Sequence, residues 1–291
     1  MELSDYIKSK RPALAASSIV TYASILRSLF FKVFNSRDID FKRYDDSKTI
    51  LEYLSEVPPN KRKTILSALV IITDNDKYRS QMNDDVKQYN KDIATQEKSP
   101  SQEQSWMKTD EIKKAYDTLA KHAALLYKKE SLSTNDLQDI QNYIIVALVS
   151  GLFIPPRRSL DYTNFKIKNI DPTLNYLDKK TLTFCSYKTF RLYGKQTLEV
   201  PPPLLKILKK WISVNPTEWL LFDTKGQKLT PIKLTHRLNK IFGTGKSINA
   251  IRHCYLTDKY GDTIKVNEAL AADMKQMGSS MGVASNYIKR E

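Results

Sequence analysis

Residues 93–106, IATQEKSPSQEQSW, divide the chain into two blocks with different periodicities. The stretch is polar, holds a proline and several serines, and is expected to be a linker between domains. Before it, Ile19, Tyr22, Ile25, Leu26, Leu29, Phe30 and Val33 recur at helical spacing within a helix expected over 13–34, with Ser17 or Ser18 as its N-cap. Further helices are expected near 47–56, 61–73 and 75–92, two of them separated by Pro58-Pro59-Asn60. In KRKTILSALVII a basic head precedes an apolar body, and that head suits a phosphate backbone or plain water equally well. The first block, 1–92, reads as all-helical, with no chemistry visible in it.

The second block, 107–291, mixes periods. Thr109 caps a helix whose positive end carries Asp110 and Glu111. A second helix starts after Ser133 and runs through YIIVALVSGLF, apolar enough to be the core of this block. Pro155-Pro156 stop it, and a short helix is expected to begin beside Arg157-Arg158. Strand-like runs follow: FKIKNI, LTFCSYK and QTLEV. The last two flank FRLYGK, whose Gly194 suits a hairpin turn, and Lys188 ends the first hairpin strand. Pro201-Pro202-Pro203 close the hairpin before two more helices, LLKILKKWI and 231–242. The expected fold is therefore mainly α with a small antiparallel β-sheet.

Charge narrows the partner. Lys and Arg number 47 against 32 Asp and Glu, a net charge of +15, so a polyanion is the natural ligand, with nucleic acid leading. No Asp or Glu occurs from Thr224 to Thr257, where Lys225, Lys228, Lys233, Arg237, Lys240, Lys246 and Arg252 all lie. The N-terminus shows no signal-peptide core, and no apolar run approaches the ~20 residues of a membrane span; an intracellular protein without a membrane partner is expected. Two cysteines, three histidines and no CxxC give neither a disulfide framework nor a zinc spacing, so no metal or cofactor is expected.

The stretch from Ser247 to Tyr287 carries the chemistry. Arg252 lies in its first half and Tyr287 near its end, with a polar bridge and then Gly278, Ser279 and Ser280 between them. Two short helices joined by a tight turn would bring guanidinium and phenol together. An arginine fork holds a phosphate through two parallel hydrogen bonds, and a phenol can attack phosphorus to form a covalent intermediate.

These pieces, in this order, resemble the tyrosine recombinase, or phage-type integrase, family over most of the chain. In that family the first arginine precedes an acid by three residues and an apolar residue by seven. Arg158 fits, with Asp161 and Phe165 at those offsets; Arg157, with Leu160 and Asn164, fits less well, and the choice between the two stays open. Lys188 matches the family's hairpin lysine. Asn249-Ala250-Ile251-Arg252-His253 matches its second arginine box, and MGSSMGVASNYIK its terminal box with Tyr287 as nucleophile. Two positions depart from the pattern: Asn249 replaces the box's first histidine, and Ser279 stands where a His or Trp follows the glycine. The run Pro155-Pro156-Arg157-Arg158 resembles integrases of large DNA viruses and their satellites.

The resemblance implies a helical core-binding domain (1–92), a linker (93–106) and an α+β catalytic domain (107–291). It implies double-stranded DNA as partner, a homo-oligomer that is a tetramer on the synapse, and cleavage through a 3′-phosphotyrosyl intermediate without metal or nucleotide. Arg158 and Arg252 would stabilise phosphoryl charge, Lys188 would protonate the leaving oxygen, and His253 would orient or accept the tyrosine proton. Asn249 and the Ser279 hydroxyl would donate hydrogen bonds where the family has histidines. Two alternatives remain: a type IB topoisomerase-like strand-transfer enzyme, and a DNA-binding protein that kept this fold and lost catalysis. Each residue also has a plain structural role open to it. Tyr287 can dock a terminal helix, Arg158 can pair with Asp161, Lys188 can be a surface lysine, and Arg252 and His253 can be structural.

Overall fold

The computed structural model describes residues 2–288. The chain divides between Lys98 and Ser99 into two compact units.

The first unit is helical: α1 (Leu3–Lys10), α2 (Ala16–Phe34), α3 (Ser47–Ser55), α4 (Pro59–Thr73) and α5 (Asp76–Ala94), with a 3-10 turn at Phe41–Asp45. Pro59 sits in the first turn of α4, where its missing N–H costs nothing. Asp74 in the left-handed region (φ 55°) ends α4, and the Asn75 side chain caps α5 by accepting from Lys77 N–H. Leu26, Leu29 and Phe30 of α2 meet Ile50, Leu54, Leu66 and Leu69 in the core. Two tyrosines are buried there because their hydroxyls find partners: Tyr44 donates to Leu26 O at 3.0 Å and Tyr78 to Tyr44 O at 2.8 Å. Burial pushes both phenols well above their ordinary value. The expectation that no apolar run reaches the length of a membrane span needs correction. The 19-residue α2 is long and apolar enough to cross a membrane by length and composition alone; here its Ile19, Ala23, Leu26, Leu29 and Phe30 lie in the core.

The basic head of α4 is largely turned inward. Arg62 grips the buried Asp85 with two hydrogen bonds of 2.9 and 2.7 Å, and Lys63 lies over the Tyr89 ring. Only Lys61 of the three cations faces water outright. Removing one partner of a buried pair strands the other's charge. Asp85→Ala is therefore expected to destabilise this unit by about 3 kcal/mol or more, read as a lowered denaturant midpoint. Arg62→Met/Asp85→Leu together should cost far less.

The second unit begins with α6 (Pro100–Ser105), a short helix inside the stretch expected as linker. A capping box starts it, Ser99 and Gln102 each satisfying the other's backbone N–H. Then come α7 (Thr109–Leu126) and α8 (Thr134–Val149), whose Ile140, Ile144, Ile145 and Leu148 form the centre of the core. After α9 (Ser159–Thr163) lies the sheet: β1 (Phe165–Lys166), β2 (Asn175–Asp178), β3 (Thr181–Phe184), then α10 (Phe190–Tyr193) and β4 (Gln196–Glu199). The order is β1-β2-β3-β4. The sheet expected to be antiparallel is mixed, because β1 runs parallel to β2 with Phe165 opposite Asn175. The pairs β2–β3 and β3–β4 are antiparallel, with Leu182 opposite Leu177 on one side and Leu198 on the other. FKIKNI is a strand for only two residues, since Ile167 N–H turns away to Glu218 O at 2.8 Å.

Helices α11 (Pro202–Val214), α12 (Pro231–Phe242), α13 (Ile248–Tyr260), α14 (Thr263–Gln276) and α15 (Ala284–Tyr287) complete the unit. Trp211 of α11 stacks on Phe222 (centroids 5.8 Å apart, planes at 4°) and donates to Leu220 O. The buried Gln141 of α8 closes the same wall, its amide bonding both Phe222 N–H and Phe222 O. The polar bridge between Arg252 and the terminal box is the 14-residue α14, so the helices that carry Arg252 and Tyr287 are not joined by one tight turn as expected. This helix ends in a Schellman turn: Gly278 (φ 70°) bonds Lys275 O, and Ser279 N–H bonds Met274 O.

Candidate active site

The site is built on the end of α8. Gly151 takes φ 81°, and a Cβ there would stand 2.4 Å from Cδ2 of Tyr255. Glycine is thus required twice, by the backbone conformation and by the ring lying against it. This contact presses α13, which carries Arg252, onto the loop leading to Arg157 and Arg158. Tyr162, fully buried, staples that loop from below, donating to Leu148 O at 3.0 Å and accepting from Arg157 N–H at 2.9 Å.

The two neighbouring arginines are used differently. The Arg157 guanidinium bonds Asp161 Oδ2 through Nε at 2.8 Å and Gln196 Oε1 through Nη1 at 2.9 Å. It also lies 3.9 Å from the centroid of the Phe184 ring. It is a strut between the loop and β4. Arg158, half-buried, makes no side-chain hydrogen bond or ion pair among the described residues. Its guanidinium is therefore uncommitted, and Asp161, the partner that a plain structural role would have given Arg158, is held by Arg157.

Arg157, Arg158, Asp161 and Arg252 line one open cleft of about 570 Å³, with Tyr187, Thr189 and Tyr193 on its far side. Arg252 is half-buried, and Asn249 Oδ1 accepts from it in a long contact of 3.4 Å. Burial, and then the like charge of Arg158, pull the Arg252 guanidinium below its ordinary value. Burial raises the Asp161 carboxyl, with Arg157 and Arg158 offsetting only part of that, and its Oδ1 is buried without a partner. Three guanidinium groups against one carboxylate leave a positive, partly desolvated cleft in which a bound anion would be strongly favoured.

The remaining expected residues lie outside the wall of this cleft. Lys188 is exposed in the turn after β3, between two cleft residues, Tyr187 and Thr189. Asn249 and His253 are exposed on α13, and Ser279 is half-buried at the end of α14. Tyr287 is 60% exposed on α15, and its hydroxyl has no partner among the described residues. The structure thus joins Arg158 and Arg252, and leaves Lys188, Asn249, His253, Ser279 and Tyr287 outside the cleft lining.

One residue that sequence reasoning passed over holds the site together. Asn175, fully buried at the start of β2, accepts from Cys185 N–H and Ser186 N–H at 2.9 and 2.7 Å. Its amide nitrogen donates to Asp161 O and Ser186 O at 2.8 and 2.9 Å. All the hydrogen-bonding capacity of one side chain joins the arginine loop to the turn that carries Lys188. The acid-free basic run is also less open than its composition implies. Lys233 pairs with Asp223, Arg237 bonds Gln138 O and Asn142 Oδ1, and Lys246 bonds Gln104 O and Trp106 O. Lys225 and Lys240 are exposed.

No protein-family model matches this chain. No curated protein sequence matches it significantly either. Among solved structures, it is similar to the XerH site-specific recombinase bound to palindromic difH substrate in a post-cleavage complex. That match has a TM-score of 0.46 at 16% identity and covers 89% of this chain and 72% of the other. A pre-cleavage complex of XerH with difH substrate gives a TM-score of 0.37 at 12% identity, covering 89% and 85%.

Proposed function

We propose that this protein is a tyrosine recombinase that cleaves and rejoins double-stranded DNA through a 3′-phosphotyrosyl intermediate. The observation that carries the reading is the cleft that gathers Arg158 and Arg252, the two arginines of the motif. Arg158 has no side-chain partner there, while its neighbour Arg157 is fully engaged. A site that holds a phosphodiester through the transition state needs donors free to meet developing charge on the non-bridging oxygens. The half-buried guanidinium groups of Arg158 and Arg252 supply them.

In this reading Tyr287 Oη attacks phosphorus, the phosphorus–O5′ bond breaks, and Lys188 Nζ gives its proton to the departing 5′-oxygen. The phenolic proton passes to His253 or to water. The phosphotyrosine keeps the energy of the broken ester, so the 5′-hydroxyl of the same or another strand can reverse the step. Asn249, already in contact with Arg252, and the Ser279 hydroxyl donate hydrogen bonds where the family has histidines. Since Tyr287 lies outside the cleft wall, residues 279–288 must shift on binding DNA, or a second copy must deliver the phenol. A tetramer assembled on two DNA sites accommodates either route. The Pro155-Pro156-Arg157-Arg158 run resembles integrases of large DNA viruses and their satellites, an origin that the DNA flanking its reading frame would test.

The position of Tyr287, together with Asn249 and Ser279, favours a second reading: a DNA-binding protein of this fold without catalysis. Incubation with nicked suicide duplexes separates the two, because cleavage then loses its short leaving strand and the covalent complex accumulates. Recombinase activity predicts a denaturant-resistant protein–DNA species; its absence over a broad panel of duplexes would leave binding only. Exchange between two defined sites then distinguishes a recombinase from a topoisomerase-like enzyme.

Lys188→Ala is expected to slow cleavage of ordinary DNA by about 10² or more, the usual contribution of a general acid. A substrate with sulfur at the 5′-bridging position has a leaving group that needs no proton, and it should restore the rate. A variant equally slow on both substrates would assign Lys188 to binding.

A further inference from the structure

The tip of the β3–β4 connection exposes its apolar side chains. Phe190, Leu192 and Tyr193 of α10 are 39%, 74% and 62% exposed. The tip is nonetheless held in shape. The buried Tyr187 donates its hydroxyl to Gly194 O at 2.7 Å, and its ring meets Phe190 edge-on at 5.8 Å. Gly194 N–H closes the turn on Phe190 O at 2.7 Å. Arg191 and Lys195 flank the apolar pair and face water, and no Asp or Glu occurs from Lys179 to Leu198. Tyr193 and Thr189 of this tip also border the cleft that holds Arg158 and Arg252.

A rigid turn that presents leucine and tyrosine inside a wholly cationic rim matches one kind of surface in particular. Duplex DNA offers phosphates at its edge and, where a step opens, apolar base faces between them. Side chains of this kind enter such steps, and the unstacking they cause is offset by contacts that the bent duplex permits. We propose that Leu192 and Tyr193 form a wedge that enters an unstacked base step of duplex DNA beside the arginine cleft. Arg191 and Lys195 hold the phosphates on either side. The proposal rests on the duplex-DNA reading above and adds to it the place and manner of DNA distortion. Because the tip is preorganised, little conformational freedom is lost when it inserts.

The test compares two duplexes of one sequence, about 30 base pairs long, one fully paired and one with a central T·T mismatch flanked by 2-aminopurine. Unstacking costs a few kcal/mol per step and least at a mismatch, so the full-length wild type should prefer the mismatched duplex about tenfold. The 2-aminopurine fluorescence should rise on binding. The double variant Leu192→Ser/Tyr193→Ser, altered only at exposed positions, should melt as the wild type does. It should keep the same dependence of affinity on salt, and lose both the preference and the fluorescence change. Salt-dependent binding by a wild type that shows no preference would overturn the wedge and leave the DNA reading standing. A variant that keeps the preference, or that loses affinity for both duplexes equally, would overturn it as well. A wild type with no salt-dependent affinity for either duplex would sink both.

Discussion

Tyr287→Phe is expected to bind duplex DNA as the wild type does and to form no covalent adduct, a rate loss of about 10⁶ or more, as when a covalent enzyme loses its nucleophile. Two phenols near the site are committed, while Tyr193 of the cleft wall is exposed but precedes the arginine box. Tyr255 lies with its ring against Gly151 and its hydroxyl 3.4 Å from Lys259 Nζ. Tyr162 is saturated between Leu148 O and Arg157 N–H. Away from the cleft, the Tyr127 phenol is pushed up to about 12 by burial. Tyr287 alone combines a place beyond the Schellman turn of α14, high exposure and a hydroxyl with no partner among the described residues. Mass spectrometry of a trapped wild-type complex should place the nucleotide on the C-terminal peptide containing Tyr287. An adduct on Tyr260, half-exposed on α13, would move the nucleophile to a different helix.

The second large effect belongs to the arginines. Arg158→Ala and Arg252→Ala should each slow cleavage by about 10²–10³ while changing affinity little, the pattern of donors that act mainly on the transition state. Arg252→Lys should recover only part of the rate, because an ammonium lacks the planar fork. Arg157→Ala should behave differently. It removes the ion-pair partner that the buried Asp161 has among the described residues, and empties the strut to Gln196 and Phe184. Its main result should be a loss of stability of about 3 kcal/mol or more, measured by denaturant unfolding. If Arg157→Ala instead leaves stability alone and removes cleavage, the motif's first arginine is Arg157 and not Arg158.

Much of this architecture was legible because apolar stripes dictate it. Leu234 and Leu238 mark the buried face of α12, whose bounds match the expected 231–242, and Pro202 opens α11. What escaped notice is whatever hydrophobicity does not hold in place. The helix α14 buries only Met274, so TIKVNEALAADMKQ shows no stripe to read. Strand β2 begins with Asn175, buried by hydrogen bonds instead of by apolarity, and pattern reasoning discounts such a residue. The capping box of α6 was written in Ser99 and Gln102, but the polar composition around it spoke for a linker. At the candidate site, the spacing of Arg158 and Asp161 drew attention to the right loop. It could not tell that Asp161 holds the other arginine, because that choice depends on Gln196 and Phe184, far along the chain.

The amide of Asn175 makes the site a matter of communication as well as placement. One end holds the turn two residues before Lys188, and the other holds the carbonyl of Asp161, next to the arginine loop. A pull on the hairpin has a path to the arginines through this side chain, which has no spare hydrogen bond to yield, and another through the Arg157 strut to Gln196. Any such coupling would be reciprocal: an anion that stabilises the arginine loop would stabilise the lysine turn in equal measure. Under the proposed chemistry, this link would let occupancy of the arginine cleft bear on the placement of Lys188.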